Sequence, residues 1–405
     1  MSEFYSETSD KIIAILSIKS MSKEKKMFFY VALFIFCILM LIFNNLLKEQ
    51  KQKRIFEIIT LIVLCIISGT RYYLGGTDYE IYKDMFEVLP NIFEFDFSTV
   101  HNIYGTFGAE KGYLLFNSIV KTIGFNFFGF TLIHSIIFYT CMYIGLKKYT
   151  NNFNLLIIIF LYKMFFYDTF ISLRQSMTIA IFFISLRFIE NKKIIPYFLL
   201  CLLAVTFHNG ALLLFLVYFI NKFKLTKKRL IILNCIFIPT IVISILNIPI
   251  LSSFQWFIDI FNTETAAQKA SNLINSSVTS GISYLHTIEY FIIMFLTIIN
   301  YSKIINQDNK HAEFIIKLFV VLLPLFTLFR GYEILTREKD YFIFTYAIIL
   351  GYLCKIYSKK YSLIIQTIVT LVCFFGFCRF ILLFDHGGMI PYESYLQKDI
   401  SIFKE

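Results

Sequence analysis

Long apolar runs, separated by short segments that hold the ionisable residues, constrain this chain more than any other feature of its sequence. The runs at 27–47, 155–170 and 361–384 are apolar enough to cross a bilayer. A membrane-spanning helix needs about 20 mostly apolar residues. An ionisable group at the end of such a helix is costly to desolvate, so it marks a site that faces water or a polar substrate. We therefore expect a membrane protein with a charged pocket at one membrane surface.

Composition supports the same class of protein. The chain is 58% hydrophobic and only 16% charged, which lies far outside the range of soluble globular proteins. The net charge of +11 would favour nucleic-acid binding in a soluble protein, but here the basic residues occupy short loops, where they set membrane orientation. We predict an all-α, polytopic integral membrane protein with about 10–14 transmembrane or re-entrant helices, and no nucleic-acid partner.

Hydropathy locates the individual spans. The predicted spans are 27–47, 55–70, 127–146, 153–170, 174–190, 229–248, 284–301, 313–330, 340–357 and 361–384, with a shorter apolar element at 113–124. Two further short segments, 195–207 and 210–221, are separated by His208 and Asn209. Interrupted helices at membrane depth are tolerated only where they face protein or a wet cavity, so we predict a hairpin with His208 at its tip. A single bent span is the competing interpretation.

Loop charge predicts the orientation of these spans. One set of loops holds 19 basic residues, and these loops are 48–54, 147–152, 187–193, 222–229, 302–312 and 355–360. The opposite segments hold 10 basic residues over a greater length, so the first set should be cytoplasmic. We expect a single helical membrane domain at 27–395 with outer loops at 71–112 and 249–283. Residues 1–26 then form an interfacial or dispensable extension, and 396–405 form a tail.

The first polar segment of the predicted outer face is Arg71 to Tyr79. The guanidinium of Arg71 can bind phosphate or carboxylate with two hydrogen bonds, and the glycines at 75 and 76 let the backbone approach a ligand closely. Asp78 is a candidate proton acceptor or a partner for an arginine. The alternative interpretation is a helix-end cap with an Arg that reaches the interface and interfacial tyrosines. Glu110 begins the next apolar element, where the helix dipole alone would favour a carboxylate.

Two later polar positions are harder to explain by structure alone. Arg174 and Gln175 sit between strongly apolar segments, and an arginine there needs an anionic partner, which is either Asp168, Glu110 or a substrate phosphate. His208 is the histidine at a break between apolar elements. It is either a hydrogen-bonded packing residue or a group that takes a proton from a sugar hydroxyl. Arg330, Glu333 and Arg337 belong to a polar turn of mixed charge, in which some residues should pair with each other.

Taken together, these motifs resemble those of a known family. The ordered set resembles the EpsG family of bacterial exopolysaccharide proteins, which is similar to Wzy-type repeat-unit polymerases. It comprises Arg71 with Gly75-Gly76-Thr77-Asp78-Tyr79, Glu110-Lys111-Gly112-Tyr113, Arg174-Gln175, Phe207-His208-Asn209-Gly210-Ala211 and Pro391-Tyr392-Glu393-Ser394-Tyr395.

The resemblance implies a GT-C-like glycosyltransferase of the bacterial cytoplasmic membrane. It would join oligosaccharide repeat units, carried on undecaprenyl pyrophosphate, at the outer face, without a metal or cofactor. Its partners would be the lipid-linked donor and acceptor, membrane lipid, a chain-length regulator and a flippase. The catalytic candidates are His208, Arg174, Arg71, Asp78 and Glu110, and the substrate-binding candidates are Gly76, Tyr79, Tyr82, Tyr113, Gln175, Arg330, Glu333, Arg337 and Tyr392. A flippase of lipid-linked oligosaccharides and a membrane acyltransferase that modifies polysaccharide are the alternatives.

Overall fold

The computed structural model describes most of the chain between residues 27 and 403. The described residues are 27–96, 109–150, 152–246, 248, 284–307, 309–328, 337–384 and 388–403. Several predictions therefore lie outside the described residues, entirely or in part. They include the N-terminal extension 1–26, the outer loop 249–283, parts of the outer loop 71–112 and of the tail 396–405, the end of the span 313–330, and the site residues Arg330 and Glu333.

The described residues fold into helices. The β-structure among them is limited to isolated β-bridges. In chain order the helices are α1 (Met27–Leu46), α2 (Gln50–Gly69), α3 (Gly76–Val88), α4 (Lys111–Thr122), α5 (Phe127–Leu146), α6 (Phe153–Lys163), α7 (Leu173–Glu190), α8 (Ile194–Phe207), α9 (Leu214–Ile220), α10 (Lys227–Phe237), α11 (Pro239–Ile245), α12 (Tyr284–Ile299), α13 (Tyr301–Gln307), α14 (Asn309–Val320), α15 (Leu322–Thr327), α16 (Phe344–Ile356) and α17 (Lys359–Phe384).

The prediction of an all-α membrane fold is confirmed. Within the described residues, four helical segments are long and apolar enough to cross a bilayer: Met27–Leu46, Phe127–Tyr149, Lys227–Ile245 and Lys359–Leu383. A fifth is formed if α12 and α13, which meet at a bend of 76°, make one span. Each predicted span overlaps at least one observed helix.

Two predicted spans contain a break, and the second of them begins earlier than predicted. The span expected at 153–170 ends as an α-helix at Lys163 and continues, after a break, as a π-helical turn at Tyr167–Ile171. The span expected at 313–330 begins earlier, at Asn309, and breaks at Val321 before α15. Hydropathy does not locate such breaks because it averages over a window longer than the break itself.

The chain forms two compact units. Unit 1 consists of the described residues of Met1–Tyr139, Phe160–Leu173 and Ile368–Glu405, and unit 2 of those of Thr140–Ile159 and Arg174–Thr367. The single membrane domain at 27–395 stays a prediction.

Aromatic packing joins distant segments within unit 1. The ring of Phe377 lies 5.2 Å from that of Phe34 in α1 and 5.3 Å from that of Phe166. The C-terminal segment then returns to the end of α2, where the Tyr395 N–H donates to Thr70 O at 3.0 Å. Unit 1 is therefore held together by contacts between the first and last parts of the chain.

Unit 2 contains the hairpin that the sequence predicts. The ring centroids of Tyr197 in α8 and Tyr218 in α9 are 5.7 Å apart, and the Tyr218 hydroxyl donates to Lys192 O at 3.1 Å. After the hairpin tip, α9 therefore runs back to the start of α8. The hairpin is confirmed, and the alternative of a single bent span is wrong, because α9 folds back along α8. A short 3-10 helix, Asn209–Leu213, makes the turn.

Candidate functional site

The described candidate residues divide between the two units. Those of unit 1 are Arg71, Gly76, Asp78, Tyr79, Tyr82, Glu110, Tyr113 and Tyr392, and those of unit 2 are Arg174, Gln175, His208 and Arg337.

In unit 1, Arg71 immediately follows the C-cap of α2 and is fully buried. Its guanidinium donates to three backbone carbonyls: Nε to Leu74 O at 3.0 Å, Nη2 to Phe170 O at 3.4 Å, and Nη1 to Ser68 O. No carboxylate of the described residues pairs with it. Because a buried guanidinium is costly unless its donors are satisfied, these carbonyls fix the turn from α2 to α3. Burial also lowers the pKa of Arg71. All three nitrogen atoms of the Arg71 guanidinium therefore donate to backbone carbonyls.

The turn that follows depends on two glycines with positive φ. Gly75 has φ +142°, and a Cβ at this position would overlap the carbonyl oxygen of Phe170. Gly76 has φ +66° and is exposed, with open space where its Cβ would lie. Asp78 lies half-buried in the first turn of α3, where the helix dipole favours a carboxylate. The exposed backbone at Gly76, the exposed Thr77 and the half-buried Asp78 side chain are thus accessible polar groups of this turn.

The aromatic candidates of unit 1 pack mainly inside the protein. Tyr79, Tyr82 and Tyr113 are buried, and the rings of Tyr82 and Tyr113 lie 5.7 Å apart. Tyr392 is half-buried, stacks on Phe29 with centroids 4.1 Å apart, and donates its hydroxyl proton to Ile67 O at 3.0 Å. These rings stabilise unit 1, and their faces are occupied by other side chains.

Glu110 is the N-cap residue of α4 and is buried. This position agrees with the dipole explanation given by the sequence.

In unit 2, Arg174 and Gln175 lie in the first turn of α7. Arg174 is half-buried, whereas Gln175 is buried and donates from Nε2 to Arg337 O at 2.8 Å. One turn later, the hydroxyls of Thr178 and Tyr341 are 2.5 Å apart. Both bonds attach α7 to the 3-10 turn Arg337–Tyr341. A guanidinium beside a helix N-terminus concentrates positive charge, an arrangement that favours anions.

The same 3-10 turn reaches the hairpin tip. A Cβ on Gly210 would collide with the carboxylate of Glu338 and would lie 3.2 Å from Cδ2 of His208. A side chain at position 210 would therefore require the Glu338 carboxylate to move. Three segments that are far apart in sequence meet here: the α7 N-terminus, the hairpin tip and the 3-10 turn. Unit 2 thus brings together the surroundings of three predicted residues, Gln175, His208 and Arg337.

Glu338 is the residue of this group that the sequence analysis did not select. It is 5% exposed, and its Oε2 has no hydrogen-bond partner among the described residues. Burial, reinforced by the neighbouring carboxyl of Asp340 and opposed by Lys339, raises the pKa of Glu338 to about 8. Lys339 instead forms an ion pair with Asp340, Nζ to Oδ1 3.0 Å, as expected for a mixed-charge turn. The one available signal was that four ionisable residues precede a strongly apolar helix.

Chemically, unit 2 offers a cationic side chain at a helix N-terminus together with a histidine and a carboxyl group of raised pKa. Such groups suit anion binding and proton transfer. In the part of the chain that the structure describes, no group of three or more His, Cys, Asp or Glu side chains is arranged to hold a metal ion.

Comparison with known proteins gives one match. A family model, described as the EpsG family, matches residues 54–394, which is nearly the whole chain. The match includes the described candidate residues of unit 1 and of unit 2. No curated protein and no solved structure matches significantly.

Proposed function

The chain belongs to the EpsG family, and on that premise we propose that this membrane protein of polysaccharide biosynthesis is a polysaccharide polymerase. It joins oligosaccharide repeat units carried on undecaprenyl pyrophosphate, so that the growing chain on one lipid is transferred to an acceptor sugar on another. The observation that carries this proposal is the family match over residues 54–394. The convergence of polar segments in unit 2 supports it, because a glycosyl transfer from a pyrophosphate needs a cationic group and a proton acceptor.

The cationic group that we propose for the donor pyrophosphate is Arg174. Its position in the first turn of α7 adds the helix N-terminus to the guanidinium charge. Arg337, also half-buried, lies in the turn that is bonded to the same helix turn. In unit 1, Arg71 contributes positive charge from a buried position and holds the Gly75–Asp78 turn, so we propose that it positions that turn.

For acceptor activation we propose His208, in preference to Asp78 and Glu110. His208 lies at the tip of a hairpin, between two apolar helices, and the tip packs against the Arg337–Tyr341 turn. An imidazole at such a site can take the proton from the acceptor hydroxyl as the new glycosidic bond forms. Asp78 and Glu110 then orient sugar or interact only with the dipoles of their helices.

The cellular setting follows from the same proposal. The chain is a multi-pass membrane protein, and we propose the outer face of the bacterial cytoplasmic membrane as its place of action. The lipid-linked donor and acceptor would lie in membrane lipid beside it, and a flippase would supply both. A chain-length regulator is the protein partner that a polymerase of this kind would use.

A reconstitution experiment tests the proposal. The purified chain is placed in proteoliposomes with a repeat unit linked to undecaprenyl pyrophosphate, and the products are separated by length. We expect polymer and released undecaprenyl pyrophosphate, and we expect Arg174→Lys and His208→Ala to abolish long chains at unchanged protein levels. Transport of the lipid across the bilayer without polymer would support a flippase instead. Acyl transfer to the sugar would support an acyltransferase.

A further inference from the structure

Glu338 and His208 flank the same small space in unit 2. The carboxyl carbon Cδ of Glu338 and Cδ2 of His208 each lie 3.2 Å from the point that a Cβ on Gly210 would occupy. This space exists because residue 210 has no side chain. A carboxyl group and an imidazole therefore border the same space at the tip of the hairpin.

The surroundings of Glu338 leave its carboxyl group available for proton exchange. Lys339, the adjacent cation, binds Asp340 instead, and Oε2 of Glu338 has no hydrogen-bond partner among the described residues. The helix α15, which packs against this turn, carries no ionisable side chain. Among the described residues, the ionisable groups on the segments that pack here are His208 on the hairpin, Arg174 on α7, and Arg337, Lys339, Asp340 and Tyr341 on the turn that contains Glu338.

A purely structural carboxyl group would normally be ionised and paired, or replaced by an amide. Burial, with the repulsion of Asp340, instead raises the pKa of Glu338 to about 8, so the group takes up and releases protons near neutral pH. Groups with such a pKa beside a second titratable residue are typical of catalytic proton transfer. The geometry and the titration therefore point to the same role.

We propose that Glu338 is a second proton-exchanging residue of this site, acting through His208; the inference rests on the proposed polymerase function. As the acceptor oxygen attacks the anomeric carbon, its O–H bond breaks and the proton moves to His208. The new glycosidic C–O bond forms while the C–O bond to the pyrophosphate breaks, and the pyrophosphate leaves with the electron pair. His208 then passes its proton to the Glu338 carboxylate, which releases it to water.

The test is the pH dependence of the polymerase reaction in proteoliposomes with the lipid-linked repeat unit. The turnover number kcat and KM are measured for the wild type, for Glu338→Gln, and for Glu338→Asp, which keeps an ionisable group. Glu87→Gln is the matched control, because Glu87 lies on the surface of α3 and its side chain is 56% exposed. Circular dichroism verifies that each variant is folded.

For the wild type we expect kcat to rise with pH through a limb centred near pH 8. Glu338→Gln should lose this limb and lower kcat at least about a hundredfold, with KM little changed. Glu338→Asp should lower kcat and keep the limb at a shifted pH, and it provides the test if the Gln variant does not fold. Glu87→Gln should behave as the wild type.

Three results would overturn the inference. Wild-type kcat in Glu338→Gln would do so directly. A lower kcat with the pH limb intact would show a structural role only, and a wild-type pH profile in Glu338→Asp would show that the limb belongs to another group. If the wild type makes no polymer at any pH, the proposed function fails, and this inference fails with it.

Discussion

The buried carboxyl group of Glu338 should make the stability of the folded protein fall as pH rises. At low pH the folded and unfolded chains both carry the protonated acid, so Glu338 adds no pH dependence. Above pH 4.5 the unfolded chain ionises, while the folded chain keeps its proton up to about pH 8. The folded state binds more protons in this window, so the free energy of unfolding decreases with pH. At about 1.4 kcal/mol per pKa unit, the loss reaches about 5 kcal/mol above pH 8.

Replacing Glu338 with Gln isolates this effect. The amide is neutral at every pH, so the variant should gain stability relative to the wild type between about pH 5 and about pH 8. The assay is unfolding of the purified protein in mixed micelles of increasing dodecyl sulfate content, followed by circular dichroism. Glu87→Gln, at an exposed carboxylate, should keep the wild-type slope. Parallel pH dependence of the wild type and Glu338→Gln would refute the reasoning, because Glu338 would then titrate alike in both states.

Three further substitutions test the packing around the candidate residues of unit 1 and of unit 2. Gly210→Ala should destabilise the protein by about 1–3 kcal/mol and reduce polymer formation, because its methyl group overlaps the Glu338 carboxylate; Gly351→Ala, with its nearest contact at 3.7 Å, should be harmless by the same unfolding assay. Arg71→Lys should cost about 2–3 kcal/mol in that assay, since an ammonium cannot reach the separate carbonyls that the guanidinium binds; unchanged stability would contradict this. Ser394→Ala removes a capping box and the hydrogen bond to Thr70 O. It should cost about 1 kcal/mol and speed proteolysis of the C-terminal segment, and an unchanged digestion rate would argue against the contact.

The sequence predicts most of the helical architecture because the physical cause is local. Apolar runs of helical length specify spans, and the polar break at His208 between two short apolar segments specifies a hairpin, which the ring contact of Tyr197 with Tyr218 confirms. The breaks inside the spans were less predictable. The span predicted at 153–170 is interrupted after Lys163 and ends in the π-helical turn Tyr167–Ile171, and hydropathy gives no signal for either feature.

The burial of the polar residues could not be predicted from the sequence, because it depends on contacts with segments that are distant along the chain. Arg71 has the sequence context of a ligand-binding arginine, yet it is fully buried, and part of its environment is the carbonyl of Phe170, which no local pattern reveals. Glu338 looks like one member of a solvated mixed-charge turn. Its burial depends on the hairpin tip at Gly210, a segment that lies far earlier in the chain.

Gly75 in unit 1 and Gly210 in unit 2 have the same structural role. Gly75 follows Arg71 closely and lies where a Cβ would strike the carbonyl of Phe170, while Gly210 follows His208 and lies where a Cβ would strike Glu338. In both motifs a polar side chain is accompanied by a residue without a side chain, which lets a distant segment pack directly against the backbone. The glycine in each motif thus admits the segment that surrounds the neighbouring polar side chain. On this reasoning, Gly75→Ala and Gly210→Ala should each lower polymer formation, although neither glycine performs any chemistry.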